Sequence, residues 1–443
     1  MPRLIATFVL VLCVLTAAAV ALPAQAALTA GAARADITPD VQAMAPVVQG
    51  GYGARMGKPA EGVHDPVYAR ALAISDGERR VCIVGMDLTG VPDKLHSDLV
   101  ERLGDELGLD YGSLLVCATH THSSQGNMSP VPPFIAAIFG PYNEKLYDFV
   151  RDRTEQAIRE AISGMQPAEI GCATRQLPEF NHNRRDDQGN TMTDDQMTVL
   201  YAKTPDGGPI GMAVFYTAHA TILDDDNMLI SGDWPGAMER AIEFAVPGVV
   251  ALHINGAEGD QSPSAKYGGT YASVQFYGAD LARHAVELAQ SAEAKSDCAV
   301  ASAWVDFELP QPEVSPAFME ITGKEYNISK EMAESLMSQV TLSSIPISAI
   351  RVGDFVVAAM PGEAICELGL ELKRRARDAG AAYAAIGGLA GRDVSYILNE
   401  EQYNRGGYEA SMSFYGPRLG ELLVDGLTEL INEACAGIQS TRQ

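Results

Sequence analysis

The sequence is short of positive charge: 32 Lys and Arg stand against 57 Asp and Glu, a formal net charge of −25. Such a surface repels polyanions, so nucleic acid is not expected as a partner. No basic amphipathic anchor is evident, which limits the expected membrane contact to a peripheral one. Cysteine pairs at CxxC spacing are missing, and the seven cysteines are scattered, which excludes a zinc knuckle and a dithiol redox motif. Beyond the N-terminus no apolar run approaches the roughly 20 residues of a bilayer span. Internal repeats and low-complexity tracts are also lacking. With 47% hydrophobic and 20% charged residues there is ample material for a core, and disorder, collagen and coiled coil are excluded as the main architecture.

What is present begins with an N-terminal export pattern. Arg3 precedes an apolar run from Leu4 to about Leu22, and Ala24-Gln25-Ala26 places small residues where a signal peptidase inspects the chain. Residues 1–26 are therefore expected to be a signal peptide, with a retained anchor as the competing reading, and the protein is expected to be secreted or periplasmic. Cys82 and Cys117 sit in apolar runs that read as buried strands, where a free thiol acts as a small hydrophobe.

Short apolar runs followed by polar, Gly-rich loops and then helical spacing recur along the chain. The expected fold is α/β, a mixed β-sheet core with flanking helices and an active site in loops at the C-terminal ends of strands. Strands are expected at Val81 to Met86, Leu114 to Ala118, Gly211 to Tyr216, Val249 to Ile254 and Phe355 to Met360. Helices are expected at Glu144 to Ile162, Pro235 to Phe244, Gly278 to Ala289 and Glu363 to Arg377. Residues from about Pro310 to Ser343 read as an excursion from the sheet, a candidate lid.

The chemistry follows the strands. Leu114 to Ala118 runs into Thr119-His120-Thr121-His122-Ser123, and on an extended backbone the spacing of two points both imidazoles to one side. His219 ends a second apolar run, and Glu363 follows Met360-Pro361-Gly362 at the expected start of a helix. Each has a bland reading: a polar turn, a core histidine, a carboxylate favoured by a helix dipole. Together, two His and one Glu from separate strand ends are the ligand types of a catalytic zinc. Asn255 to Pro263 reads as a site loop, in which Ser262 is a nucleophile, an oxyanion donor or a turn residue. Tyr396, Tyr403, Tyr408 and Tyr415 punctuate a Gly/Asn/Glu-rich segment near the end.

These pieces, taken in order with Asn183-Arg184, Ser231-Gly232-Asp233-Trp234 and Gly259-Asp260-Gln261-Ser262-Pro263, resemble the neutral/alkaline, non-lysosomal ceramidases. Those are zinc amidases that cleave ceramide into sphingosine and a fatty acid. The resemblance implies that His120, His219, Glu363 and Tyr396 ligate Zn2+, and that His122, Arg184 and Tyr408 surround the scissile amide. It marks Ser262 as a catalytic residue. It also implies a domain spanning 27–443 without the C-terminal immunoglobulin-like domain of long members. Ser124-Gln125 stands where the family has Gly-Pro, Ser264 where it has Asn, and Arg185-Asp186-Asp187 where it has Ser-Pro. Those loops shape the substrate end of the pocket, so the expected substrate is a small-molecule or lipid N-acyl amide, ceramide or a relative of it, including soluble single-chain compounds. Two rival readings are a metal-independent serine hydrolase, with Ser262 as nucleophile, His122 as base and Asp260 or Asp233 as orienter, and a non-catalytic lipid or solute carrier. Against the first, Ser262 lacks a GxSxG elbow.

Overall fold

The structure, a computed structural model, describes residues 28–186 and 189–441. The expected signal peptide lies outside the described residues. Three sheets carry the fold. The first has the order Leu114–Ala118, Arg80–Met86, Tyr68–Ser75, Thr29–Asp36, Gln166–Pro167. The second runs Val250–Asn255, Pro209–Tyr216, Gln196–Lys203, Glu169–Gln176, Ala294–Lys295, and the third Val300–Glu308, Ser344–Val352, Phe355–Ala359, Tyr383–Gly387.

Each sheet is antiparallel apart from one parallel pair: Arg80–Met86 with Leu114–Ala118, Pro209–Tyr216 with Val250–Asn255, and Phe355–Ala359 with Tyr383–Gly387. These strands are nearly continuous apolar runs because both of their faces are buried. Ile83, Leu115, Phe215, Ile254, Val357 and Ala385, one from each of the six, share a single core cluster. Helices cover the outer faces. Glu144–Ser163, whose N-terminus is capped by the Asn143 side chain accepting from the Leu146 amide, packs on the first sheet. Asp233–Ala245 and Tyr271–Ser291 cover the second sheet, and Cys366–Asp378 and Leu419–Thr441 the third. The expected mixed α/β core is therefore observed. No described helix is long and apolar enough to cross a membrane.

Two local expectations need correction. Glu363 does not open a helix: Glu363–Ala364 is a short strand paired in parallel with Tyr396–Ile397, and the helix begins at Cys366. A single two-residue ladder thus brings a carboxylate and a phenol side by side, which a helical start would not do. His120 is not extended either, for its φ is +66°, in the left-handed region. The two imidazoles still meet, because the chain turns at His120 rather than alternating. The excursion after Pro310 is a set of helices, Pro316–Glu320, Thr322–Glu325 and Lys330–Val340.

Candidate active site

Parallel strands end on the same side, and all six ends meet at one place. The loop after Arg80–Met86 brings Thr89, and the loop after Leu114–Ala118 brings His120 and His122. Pro209–Tyr216 leads to His219, Val250–Asn255 to the loop from Glu258 to Ser262, Phe355–Ala359 to Glu363 and Tyr383–Gly387 to Tyr396. His120 Nδ1 lies 2.6 Å from the Thr89 carbonyl, and His219 Nδ1 lies 2.7 Å from the Glu258 carbonyl and 3.1 Å from that of Gln261. A carbonyl only accepts, so each Nδ1 carries the proton and each Nε2 is left to face the site.

The Nε2 atoms converge on one carboxylate oxygen. Glu363 Oε2 is 3.3 Å from His120 Nε2 and 3.1 Å from His219 Nε2, and the Tyr396 hydroxyl is 3.4 Å from His219 Nε2. Imidazole lone pairs facing a carboxylate repel unless a proton or a cation lies between them. Burial works against charge on His120, but the Glu363 carboxylate outweighs it and raises the imidazole to about 9. Burial, Arg184 and His120 push His219 down to about 4. Burial also opposes charge on Glu363, yet His120 and His219 hold its carboxyl well below the usual range. The donor set fits a divalent cation: ligands about 2.0–2.1 Å from a tetrahedral centre lie roughly 3.3 Å from each other. His122 joins the cluster, with its Nε2 3.2 Å from that of His120, and potential ligand nitrogens of His120, His122 and His219 all lie within 4.8 Å of one another. This buried histidine group can hold a metal.

His122 has a different setting from the other two. Its Nδ1 is buried without a hydrogen-bond partner among the described residues, and its ring packs edge-on to Tyr52 at 4.6 Å between centroids. Gly51, at φ +90°, passes so close that a Cβ there would stand 2.3 Å from the His122 Cγ. Burial, then the two neighbouring histidines, holds His122 well below 6.5.

Arg184 closes the site from the opposite side. Its Nη2 donates to the Tyr396 hydroxyl and to the Gly259 carbonyl, both at 2.7 Å, and its Nε donates to Glu409 at 2.8 Å. Tyr408 lies beyond, half-exposed, with its ring 5.7 Å from that of Tyr396. Ser262 is placed differently. It sits in the strand Gln261–Pro263, opposite His182 of Asn181–Asn183, within the loop whose carbonyls grip His219. No described hydrogen bond joins its hydroxyl to a histidine.

Sequence reasoning missed several groups. Thr89 acts through a carbonyl and leaves no side-chain signal. Glu409, whose other oxygen accepts from the buried Arg185 at 2.6 Å, was legible only as the neighbour of Tyr408. Asp260, which the sequence offered as an orienter for a serine nucleophile, instead ties the site loops together: its Oδ1 accepts from the Cys366 amide and its Oδ2 from the Asn183 side chain, each at 2.8 Å. Glu258 is buried with neither carboxylate oxygen hydrogen-bonded among the described residues, and burial pushes it well above the carboxylate range.

An apolar cavity of 270 Å³ opens beside His122 and Tyr408. Gly51, Tyr52 and Tyr408 line its site end, and Phe134 and Ile138 of the helix Pro133–Phe139 face Ala333 and Met337 of Lys330–Val340. The excursion after Pro310 is thus a wall of the pocket.

Comparison with known proteins gives the class first: this chain is of the amidohydrolase kind. It belongs to the neutral/alkaline, non-lysosomal ceramidase family, whose N-terminal model matches residues 28–274. Neutral ceramidase of Pseudomonas aeruginosa is 25% identical over 467 residues, covering 87% of this chain and 69% of that protein. Neutral ceramidase B of Dictyostelium discoideum is 28% identical over 228 residues, 46% of this chain and 32% of its own length. Among solved structures, the Pseudomonas aeruginosa neutral ceramidase superposes with a TM-score of 0.78 at 21% identity, covering 93% of this chain and 75% of that one. A ceramidase complexed with C2 gives 0.76 at 20% identity, covering 94% and 76%. At those identities the superpositions speak for the fold.

Proposed function

We propose that this chain hydrolyses the amide bond of an N-acyl lipid, ceramide or a related N-acyl amide, at a zinc ion held by His120, His219, Glu363 and Tyr396. The observation that carries the reading is the convergence of two Nε2 atoms, each fixed by a carbonyl on its Nδ1, upon Glu363 Oε2 at 3.3 and 3.1 Å. The relatives named neutral ceramidases support the substrate class. Zinc bound there would bring the pKa of a water towards about 7 and polarise the amide carbonyl.

The chain's own groups have defined tasks in this reading. Arg184 and Tyr408 donate to the carbonyl oxygen as it gains negative charge at the tetrahedral stage. His122 takes the proton released when water adds to the carbonyl carbon, and delivers it to the nitrogen as the C–N bond breaks. Ser262, beside the carbonyls that hold His219, positions the water or the oxyanion. The catalytic domain spans 27–443, and export to the periplasm or beyond the cell follows from the signal pattern of residues 1–26.

The serine-nucleophile reading has less support. Ser262 pairs in register with His182, no described hydrogen bond joins its hydroxyl to His122, and Asp260 is occupied by Cys366 and Asn183. Asp233 accepts from the amides of Leu223 and Trp234. Chelation followed by zinc readdition tests the proposal: activity on an N-acyl amide should vanish and return. His120→Ala should lose the metal, whereas His122→Ala should keep it and lose turnover. Full activity in protein stripped of metal, or a trapped acyl-Ser262 adduct, would overturn it.

A further inference from the structure

We infer that the cavity beside His122 and Tyr408 is a ruler for a single hydrocarbon chain of the substrate, on the order of ten carbons long. This rests on the amide-hydrolase reading and says which substrates that site prefers. The position of the cavity connects it to the chemistry, because the same residues belong to both. Gly51 leaves the space that the His122 ring fills, the Tyr52 ring lies 4.6 Å from His122, and the Tyr408 ring lies 5.7 Å from Tyr396. A chain lodged in the cavity therefore leads back to the scissile bond.

The lining decides what is lodged. The stretch from Asn127 to Asn143, which includes the helix Pro133–Phe139, contains no charged residue. Among the polar groups of the wall, the Thr322 hydroxyl is paired with that of Ser411 at 2.9 Å, and the Tyr326 phenol lies against Gly53. Nothing at the far end offers a hydrogen bond, because Phe318, Ile328 and Ala333 close it as a small hydrophobic cluster. Only Glu325, exposed near the mouth, carries a charge. Hydrocarbon is the chemistry that matches.

The size fixes the length. An engineered protein cavity of about 150 Å³ accepts benzene, six carbons. By the same proportion, 270 Å³ accepts on the order of ten carbons in one chain and does not accept two long chains. Each methylene buried should raise kcat/KM about fourfold until the cavity is full. Beyond that length the closed end admits no further carbon, the excess chain stays outside at the rim where Val340 and Tyr408 are exposed, and the gain stops.

Two homologous series test the ruler with the zinc-loaded full chain, each kept below its micellar concentration. One varies the acyl chain from two to eighteen carbons on a short amine, and the other varies the amine chain on an acetyl group. One series should rise about fourfold per methylene and break near ten carbons; which one breaks identifies whether the acyl or the amine chain is measured. Ala333→Leu, which fills the closed end, should move the break about three carbons shorter while leaving hydrolysis of the acetyl amide of a short amine unchanged. Met337→Ala should move it longer by a similar amount, and serves if the first variant does not fold. A rise continuing to eighteen carbons, breaks in both series, or a break that neither variant moves would overturn the inference. Calorimetric binding of straight-chain fatty acids and alkylamines to chelated protein reads the same break without turnover. A chain-length break in binding with no amide hydrolysis would leave the ruler standing and remove the amidase reading; hydrolysis without a break would do the reverse.

Discussion

At the scale of single residues, the site is organised by groups that act through others. Arg184 is aimed by Glu409, whose Oε1 takes the Arg184 Nε at 2.8 Å while its Oε2 takes Arg185 at 2.6 Å. Arg185 is fully buried and also donates to the carbonyls of Gln402 and Gly406, so one carboxylate fastens the turn bearing Arg184 to the segment bearing Tyr408. Losing a charge-assisted hydrogen bond of this kind costs about 1.5–3 kcal/mol. Glu409→Gln should accordingly lower kcat by roughly tenfold to a hundredfold with the metal content unchanged. In an Arg184→Ala background the same change should add less than about threefold, since its effect runs through Arg184. Additive losses in that double-mutant cycle would show that Glu409 is merely structural.

Elements as short as two residues decide the geometry, and there the sequence was least informative. The runs that became parallel strands were legible from their continuous hydrophobicity, as were His120, His122, His219 and Glu363 at their ends. The pairing of Glu363–Ala364 with Tyr396–Ile397 was not, because a two-residue ladder has no period to read. The turn at Gly50-Gly51-Tyr52-Gly53 shows its glycines in the sequence, but that one of them makes room for His122 is a tertiary fact. Gly51 has φ +90°, and a Cβ there would stand 2.3 Å from the His122 Cγ. Gly51→Ala must therefore strain the backbone and displace the imidazole. A misplacement of about 1 Å at a reacting group can cost about a hundredfold, so turnover should fall by that order with the metal content unchanged, as read by kinetics beside elemental analysis. Turnover near that of the unaltered chain would mean that the position of His122 is not critical.

At the scale of the whole molecule, three sheets lend one parallel pair each to a common core, and the six strand ends define a single site. The α/β class was readable from the alternation of runs and loops, but the division into three sheets was not, because strand order is set by contacts distant in sequence. The same core buries histidines that take no part in the site, and these make stability depend on pH. His96 donates from Nε2 to the Leu114 carbonyl at 2.9 Å, its Nδ1 has no partner among the described residues, and burial lowers it to about 4. His253, in the strand Val250–Asn255, is lowered by burial to about 3. In the unfolded chain both return to about 6.5. As pH falls below that value the unfolded state takes up protons that the folded state refuses, so this stability is present above about pH 6.5 and is lost on the way down to about 4. The loss approaches about 1.4 kcal/mol per pH unit for each histidine. His96→Gln removes one of them and leaves the site histidines as they are. Urea titrations of both proteins in chelator at pH 7, 6 and 5 should show the variant losing stability less steeply, by up to about 1.4 kcal/mol per pH unit. Identical slopes would mean that His96 gains its proton as readily in the folded chain as in the unfolded one.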